Sequence, residues 1–316
     1  MTRLNLLRIA VAAALLSGFG AQAQLFRAYL AADGSDANPC TLPAPCRLLP
    51  AALSAVANGG EIWMLDSANY NSATVTVNKS VSILAVPGVV GSVVATGGPA
   101  ISITAANLKV ALRNLVIAPV VTLPAGTTGV NMTGASSLTI ENCLIANLPE
   151  EGVRVEAAGT LKVANSTLRN NGAVSGAVAI SLQRGATATV AATQMLGNGG
   201  GGVGAYGYYG STTTTASVSD SVVSGGYGGV IAFTNNASAI ARVSVTSSMI
   251  ERTEFALKSQ TSGIGTAEVN VGSSLIVDNE YAWDQSGTGS TLLSLGNNQI
   301  SGNAGTIGAR TPLTPQ

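Results

Sequence analysis

Aliphatic and small polar residues recur along most of the chain in one arrangement. In residues 163–171, an aliphatic residue is followed by a spacer, two small polar residues, another spacer and a second aliphatic residue, with Asn three positions later. This unit aligns without gaps with seven other segments: 112–120, 140–148, 190–198, 218–226, 245–253, 271–279 and 295–303. The intervals range from 23 residues, between Asn142 and Asn165, to 28, between Asn114 and Asn142. Self-similarity at such a period predicts a stacked-repeat architecture.

Each unit carries two aliphatic positions five residues apart. The first position is occupied by Leu112, Ile140, Val163, Val190, Val218, Val245, Val271 and Leu295. The second position is occupied by Ile117, Ile145, Leu168, Met195, Val223, Ile250, Ile276 and Ile300. Because side chains alternate between the two faces of a strand, an odd offset predicts a bend between the positions. Small polar residues such as Asn165 and Ser166 fall at this bend, where short polar side chains can hydrogen-bond the local backbone.

Two further apolar pairs complete each unit. One set follows a Gly- and Asn-rich turn and comprises Val130/Met132, Val153/Val155, Val178/Ile180, Val203/Ala205, Val230/Ala232, Phe255/Leu257 and Tyr281/Trp283. The other leads into the next unit and runs from Leu138/Ile140 to Leu293/Leu295. Three short strands per coil predict an all-β solenoid, and the handedness of parallel crossovers favours a right-handed parallel β-helix. A β-sandwich would show closely spaced turn signals without columns in register.

Residues 1–23 have the pattern of a secretory signal peptide. Arg3 and Arg8 precede an apolar core at 9–16, and small residues mark a cleavage site before Gln24. The apolar run is too short to span a bilayer. The protein is therefore expected to be exported to the periplasm or the extracellular space, without a membrane span.

The predicted export bears on whether the cysteines form a disulfide. Cys40 and Cys46 flank a short Pro-rich loop, and an oxidising compartment favours a disulfide between them. The alternative, a metal site, is a poor fit because the chain contains no His. Cys143 falls at the bend of its unit and is interpreted as buried and unpaired.

The segment after Cys46 has helical spacing. Residues 47–57 end at Asn58-Gly59-Gly60, a typical helix stop. A solenoid needs its first coil covered, so residues 24–60, with the disulfide loop and the helix, are predicted to form an N-terminal cap. Residues 61–303 then form the parallel β-helix, and residues 304–316 a flexible tail.

The cap also carries a family resemblance. The segments Asp33-Gly34-Ser35-Asp36-Ala37-Asn38-Pro39-Cys40 and Ala44-Pro45-Cys46-Arg47, the Ala-rich helix and Gly59-Gly60-Glu61-Ile62 resemble the N-terminal cap of exported bacterial proteins in the pectate-lyase-like, right-handed β-helix superfamily. The motifs match over roughly residues 27–84, and beyond them the resemblance is one of repeat architecture. The resemblance implies a right-handed β-helix and directs attention to carbohydrate chemistry.

Composition excludes several function classes. Without Arg3 and Arg8, 13 basic and 15 acidic residues remain, so no electrostatic footprint for nucleic acid or anionic membrane is present. The absence of His removes Ser-His-Asp triads, Cys-His pairs and His-ligated metals. The Gly-rich segment 197–210 lacks the Lys and the following helix of a phosphate-binding loop.

The resemblance implies two kinds of catalytic site. Pectate lyases of the superfamily use Ca²⁺ held by acidic residues and an Arg base, whereas its polygalacturonases use paired Asp residues with a His. The candidates here are Glu254 and Glu280, which each fall seven residues after the bend position of adjacent units. Stacking would separate them by about 4.8 Å, close to the roughly 5–5.5 Å of a retaining glycosidase pair. A salt-bridged surface turn, with Arg252 stacked on Asp278, accounts for the same residues without catalysis.

The outward positions of the second predicted strand suggest a contact surface. In sequence order these positions are Glu156, Ser181, Tyr206, Phe233, Lys258 and Asp284. Tyr206 and Phe233 are expected to be neighbours, and Tyr208 and Tyr209 lie close to them in sequence. Exposed aromatic residues in a chain this poor in them suggest binding; the alternative is a turn packed over its own tyrosines.

These observations predict an exported, monomeric, non-catalytic solenoid that serves as a surface, matrix or carbohydrate-contacting protein, with a polysaccharide as its expected partner. The alternative is a polysaccharide lyase or glycoside hydrolase working at Glu254 and Glu280. No cofactor is expected, except Ca²⁺ under the lyase alternative.

Overall fold

A computed structural model describes residues 24–120, 126–173 and 176–312. In these ranges the chain forms 32 β-strands and one short helix. Each coil contributes one strand to each of three parallel sheets, and every strand pairs with its counterparts on the adjacent coils. The predicted signal peptide at residues 1–23 lies outside the described residues. Within the described ranges, no helix is long and apolar enough to cross a membrane.

The strands are numbered in chain order and grouped here by sheet. The first sheet has twelve strands: β1 Leu25–Leu30, β2 Val56–Met64, β5 Val81–Ala85, β8 Lys109–Arg113, β11 Ser137–Glu141, β14 Thr160–Ala164, β17 Thr187–Ala191, β20 Thr213–Ser219, β23 Ile240–Thr246, β26 Thr266–Gly272, β29 Ser290–Ser294 and β32 Thr311–Pro312. The second sheet has ten: β3 Ala68–Asn69, β6 Gly91–Ala95, β9 Leu115–Pro119, β12 Leu144–Ala146, β15 Thr167–Arg169, β18 Gln194–Leu196, β21 Val222–Ser224, β24 Met249–Glu251, β27 Leu275–Val277 and β30 Gln299–Ser301. The third sheet also has ten: β4 Val75–Val77, β7 Ile101–Ile103, β10 Val130–Met132, β13 Val153–Val155, β16 Ile180–Leu182, β19 Gly201–Gly207, β22 Gly228–Thr234, β25 Phe255–Thr261, β28 Tyr281–Ser286 and β31 Gly305–Ile307.

The two aliphatic columns form the core as predicted over most of their length. In the first sheet Val163, Val190, Val218 and Val245 pair in register on successive coils, and all four are buried. In the second sheet the predicted column is confirmed from Ile117 to Ile300. The interior is therefore a stack of aliphatic side chains.

The last member of the first column is predicted wrongly. Ser294, not Leu295, pairs with Val271, and Leu292 fills the preceding inward position. Leu295 is instead 38% exposed. The corner between the first and second sheets is one residue longer in this coil, and Gly296 takes up the extra residue with a φ of 79°.

Three inward pairs of the third sheet also differ from the prediction. Ile180 pairs with Val153, so the inward pair is Ile180/Leu182 rather than Val178/Ile180. Leu257 pairs with Val230 and Ser259 follows it inward, whereas Phe255 lies outside the predicted column. Tyr281 pairs with Phe255 and therefore also lies outside the column, so Tyr281/Trp283 is misassigned as well. Ser259 is fully buried, and its hydroxyl donates to the carbonyl of Ala267 at 3.0 Å. A satisfied buried hydroxyl therefore occupies a position that hydrophobicity alone assigns to an apolar residue.

The corner between the first and second sheets has left-handed backbone geometry. Seven successive corner residues have φ between 48° and 56°: Asn114, Asn142, Asn165, Ala192, Asp220, Ser247 and Ser273. Asn and Asp tolerate this conformation better than other residues with a side chain. The Asn and Asp residues of the repeat therefore suit the backbone geometry at the bend, although Ala192 adopts it as well.

The next residue of each corner connects the coils through its side chain. The Ser221 hydroxyl accepts the backbone N–H of Thr193 at 3.2 Å and donates to the carbonyl of Ser219 at 2.7 Å. The same two bonds are made by Ser166, Ser248 and Ser274. In each case the hydroxyl of one coil thus accepts a hydrogen bond from a buried backbone N–H of the preceding coil.

The N-terminal segment contains the predicted disulfide and helix. Cys40 and Cys46 are bonded to each other and buried. Helix α1 spans Leu49–Ala55, with Pro in its first turn. The helix ends earlier than predicted because Val56 already has extended geometry. The interpretation of Asn58-Gly59-Gly60 as the helix stop is therefore wrong, since these residues lie within β2.

Strands also form where none was predicted. The segment predicted to be the cap supplies β1, which pairs with β2 and extends the first sheet. The segment predicted to be a flexible tail supplies β31 and β32, which pair with β28 and β29. The sheets therefore extend toward both ends of the described chain.

We expect Ala192→Asn to stabilise the protein. Ala192 has a φ of 48°, a conformation that costs a residue with a Cβ about 1–2 kcal/mol and that Asn adopts more readily. The midpoint of urea unfolding should rise, by the equivalent of about 0.5–1 kcal/mol. Ala191→Asn is the control, because this neighbour lies in the extended strand β17, where Asn is unfavourable. Equal midpoints for the two variants would contradict the role of the left-handed corner.

We expect the Cys143 thiol to be unreactive in the native protein. Cys143 is free and buried, and burial raises its pKa to about 11. At pH 8 the thiol should therefore stay protonated, and thiolate is the reactive form. A chromogenic thiol reagent should detect one thiol in denaturant and none in the native state, while Ser217→Cys, on the exposed face of β20, should add a reactive one. Rapid native labelling of the wild-type chain would contradict this assignment.

Candidate functional site

The outer face of the third sheet presents one residue per coil in register. From β10 to β28 these residues are Asn131, Arg154, Ser181, Gly204, Ile231, Lys258 and Asp284. They face outward because their strand neighbours, such as Val153 and Val155, belong to the core. These outward residues form the floor on which the side chains of the candidate site are arranged.

The column differs from the outward column predicted from sequence. Tyr206 pairs with Phe233 as expected, and Lys258 pairs with Asp284. However, Ser181 pairs with Gly204 rather than Tyr206, and Lys258 pairs with Ile231 rather than Phe233. Tyr206 and Phe233 belong to the next outward position along the strand, together with Gln260. The error follows from the misassigned inward pairs of this sheet.

The four aromatic residues predicted to form a contact surface come together in one cluster. Tyr208 is its centre: its ring stacks on Tyr206 at 5.2 Å, meets Tyr209 edge-on at 6.5 Å and lies 5.8 Å from Phe233. Tyr208 and Tyr209 are 37% and 38% exposed. The Arg184 guanidinium lies 3.6 Å from the centre of the Tyr209 ring, a cation–π geometry. The cluster is thus internally packed and also open to solvent.

Gly204 makes room for the Tyr206 ring. A Cβ at position 204 would lie 2.4 Å from the ring, so any side chain there would displace it. The ring therefore lies back over the strand and is half-buried. Burial raises the pKa of Tyr206 and that of Tyr208, so both phenols remain protonated at neutral pH. They can both donate and accept hydrogen bonds.

Two shallow cavities border the cluster. One, of about 240 Å³, lies between the cluster and Tyr227 and is lined by Ile231, Lys258 and Gln260. The other, of about 260 Å³, is lined by Glu150, Glu151, Arg154, Ser181 and Gln183. The two cavities share Tyr206, Tyr208, Gly176 and Val178 as lining residues. The two cavities lie side by side across the coils from β13 to β25, and we call them together the groove.

A second aromatic stack flanks the groove. Phe255 lies 5.3 Å from Tyr227 and 5.1 Å from Tyr281, measured between ring centres. The Lys258 ammonium is 4.2 Å from the centre of the Phe255 ring. Lys258 is thereby enclosed between aromatic faces and the carboxylate of Asp284, with which it forms an ion pair. Both residues are buried, at 5% and 4% exposure.

At the other end of the groove Arg154 is held by two acids. Its guanidinium lies 2.6 Å from the carboxylate of Glu151 and 3.5 Å from that of Glu150. Burial alone would lower the pKa of Arg154, but the two carboxylates raise it above its ordinary value. Sequence reasoning missed both Arg154 and Ile231, although the outward position in each strand of this sheet would have identified them once the register was known.

Glu254 and Glu280 stack on adjacent coils as predicted, because the neighbouring Phe255 and Tyr281 pair in register. Both side chains are exposed on a turn, and neither lines the groove. Arg252 forms its ion pair with Glu251 and donates to the Ser224 hydroxyl at 2.8 Å, so the predicted stacking on Asp278 forms no ion pair. In the described residues, no three Asp, Glu, Cys or His side chains group together to hold a metal.

Comparisons with known proteins agree with this architecture. The sequence model of the family described as "Right handed beta helix region" matches residues 99–304. A solved pectate lyase, Pel9A, superposes with a TM-score of 0.68 at 15% identity, covering 92% of this chain and 80% of the other. An alginate lyase from Paenibacillus sp. str. FPU-7 superposes with a TM-score of 0.63 at 14% identity, covering 90% and 99%. At these identities the likeness shows the fold alone, and no curated protein matches the sequence significantly.

Proposed function

Since the chain belongs to the right-handed β-helix family, we propose that it is an exported, non-catalytic carbohydrate-binding solenoid and that the groove is its binding site. The observation that carries this proposal is the groove between two aromatic sets on the outer face of the third sheet. Export is supported by the disulfide between Cys40 and Cys46, which an oxidising compartment favours.

The groove has the chemical groups that sugar recognition requires. Aromatic faces pack against the apolar faces of sugar rings, and Tyr208 and Tyr227 line the groove with exposed side chains. Ser181, Gln183 and Gln260 supply uncharged hydrogen-bonding groups alongside them. The groove crosses parallel strands, which repeat every 4.8 Å or so. An extended polymer can therefore place successive sugars on successive coils.

The named activities of the structural neighbours support the same class of partner. Pel9A is a pectate lyase and the Paenibacillus protein is an alginate lyase, so both act on acidic polysaccharides. A non-catalytic role is supported by the ion pairs in the groove, since Lys258 is bound to Asp284 and Arg154 to Glu151. The carboxylates around Arg154 raise its pKa, so this guanidinium stays protonated and is a poor general base.

We expect Tyr208→Ala to weaken glycan binding most among single aromatic changes. Tyr208 contacts the other three rings of the cluster and is itself exposed. Loss of one stacking face should lower the affinity about tenfold, or by about 1.4 kcal/mol. The measurement is a glycan array followed by calorimetry with the best ligand.

Tyr29→Ala is the matched control, because Tyr29 lies on β1, far along the chain, and packs against Trp63. Wild-type affinity in this variant, with circular dichroism unchanged in both, would assign the loss to the cluster. Undiminished binding by folded Tyr208→Ala would contradict a site at the groove.

The lyase or hydrolase alternative has a separate test. Polygalacturonate and alginate are incubated with the protein, with and without Ca²⁺, and products are followed by ultraviolet absorbance and reducing ends. We expect no products, because Glu254 and Glu280 lie on an exposed turn outside the groove. Turnover that disappears in Glu254→Gln or Glu280→Gln would replace the binding proposal with catalysis.

A further inference from the structure

We propose that the groove selects an uncharged glycan over a uronate polymer, an inference that rests on the proposed function of the groove as a carbohydrate site. It departs from the acidic substrates named for the two structural neighbours. The argument depends on the charged side chains that line the groove, which are Glu150, Glu151, Arg154 and Lys258. Each of the two cations already has a carboxylate partner.

Arg154 is committed to the protein's own acids. Its guanidinium contacts Glu151 at 2.6 Å and Glu150 at 3.5 Å, and the Glu151 side chain is buried at the sheet surface. Planar guanidinium groups are well suited to bind carboxylates of uronic acids. Here the Glu151 carboxylate is already bound to the guanidinium. A uronate would have to displace this carboxylate, which belongs to the same chain as Arg154.

Lys258 is unavailable for a different reason. Both Lys258 and Asp284 are almost fully buried, and the ammonium also lies over the ring of Phe255. Taking Lys258 away from Asp284 would leave an uncompensated buried carboxylate, which is strongly unfavourable. The ammonium is therefore part of the wall of the groove and cannot anchor an anionic sugar.

The lining exposes a carboxylate but no unpaired cation. Glu150 is the more exposed of the two acids, with 36% of its side chain open to solvent, whereas the Arg184 guanidinium lies outside the lining, over the ring of Tyr209. A uronate polymer carries one carboxylate per sugar, and like charges brought together across an interface are unfavourable. A neutral sugar meets no such repulsion. It can use the aromatic faces of Tyr208 and Phe233 together with the uncharged side chains of Ser181, Gln183 and Gln260.

The length of the groove sets the size of the ligand. It extends over five strands, from Arg154 on β13 to Lys258 on β25. Four steps of about 4.8 Å give about 19 Å, roughly the length of a tetrasaccharide. Affinity for a neutral oligosaccharide should therefore rise up to about four sugars and then level off.

The test compares neutral and acidic tetrasaccharides by calorimetry at low salt. The neutral set contains cello-, manno-, xylo- and galacto-tetraose, and the acidic set contains tetragalacturonate and an alginate tetramer. We expect the best neutral ligand to bind at least about tenfold more tightly than either acidic one. The double variant Glu150→Gln/Glu151→Gln frees Arg154 and should gain about fivefold or more in affinity for tetragalacturonate, and added salt should remove the gain.

Glu254→Gln/Glu280→Gln is the matched control, since it removes the same charge from an exposed turn outside the groove. Glu150→Gln alone, at the more exposed of the two acids, serves if the double variant does not fold. Acidic ligands that bind the wild type as tightly as neutral ones would overturn this inference and leave the proposed function intact. An equal gain in the control would also overturn it, whereas no binding of any glycan would overturn the proposed function itself.

Discussion

The structure depends on one backbone constraint, namely that the corners of each coil must align with the corners of the preceding coil. In a parallel solenoid each strand bonds to the coils on both sides, so a corner that changes length must absorb the change within itself, as Gly296 does, for the next strand to stay in register. The left-handed residue at positions such as Asn165 and Asp220 makes the turn abrupt. The hydroxyl that follows it, as at Ser166 or Ser221, then accepts a hydrogen bond from a backbone N–H of the previous coil.

A second connection of this kind lies further along each coil. The Asn171 amide donates to the Asn198 side chain at 3.0 Å, and Asn279 donates to Asn303 at 2.8 Å. Asn171 and Asn198 are almost fully buried, so their amides are satisfied within the protein. Stacked amides extend the coil-to-coil hydrogen bonding from the backbone to side chains. This explains why Asn recurs at the end of the repeat unit.

The inner columns could be predicted from the sequence because this constraint repeats them. Wherever the corner keeps its length, the aliphatic residue five positions later is in register, as for Leu168 and Met195. The prediction fails where the corner changes length, at Leu295, and where a buried position is polar, at Ser259. In both cases hydrophobicity assigns one residue to the interior and the register with the neighbouring coil assigns another. The register determines the structure because it pairs the backbone N–H and C=O groups of adjacent coils.

The outer face could be predicted only in part, because no repeated constraint governs it. The sequence correctly predicted that Tyr206 and Phe233 are neighbours on adjacent coils, since both follow an inward pair that repeats. It could not place the Tyr206 ring over Gly204, nor predict that Glu150 and Glu151 would reach Arg154 from the preceding turn. These contacts depend on side-chain packing and loop geometry, for which a single sequence carries no periodic signal.

The inner and outer faces of each strand are separate, so the outer face can be suited to a ligand without changing the core. Core residues such as Val153 and Val155 alternate with outward ones such as Arg154, so the outer face can change while the core and the register stay fixed. The rigid strands also hold the outward side chains in place before a ligand arrives, which limits the entropy lost on binding. In a solenoid, ligand preference is therefore set by a column of residues one coil apart. In this chain the column pairs each cation with an acid of its own.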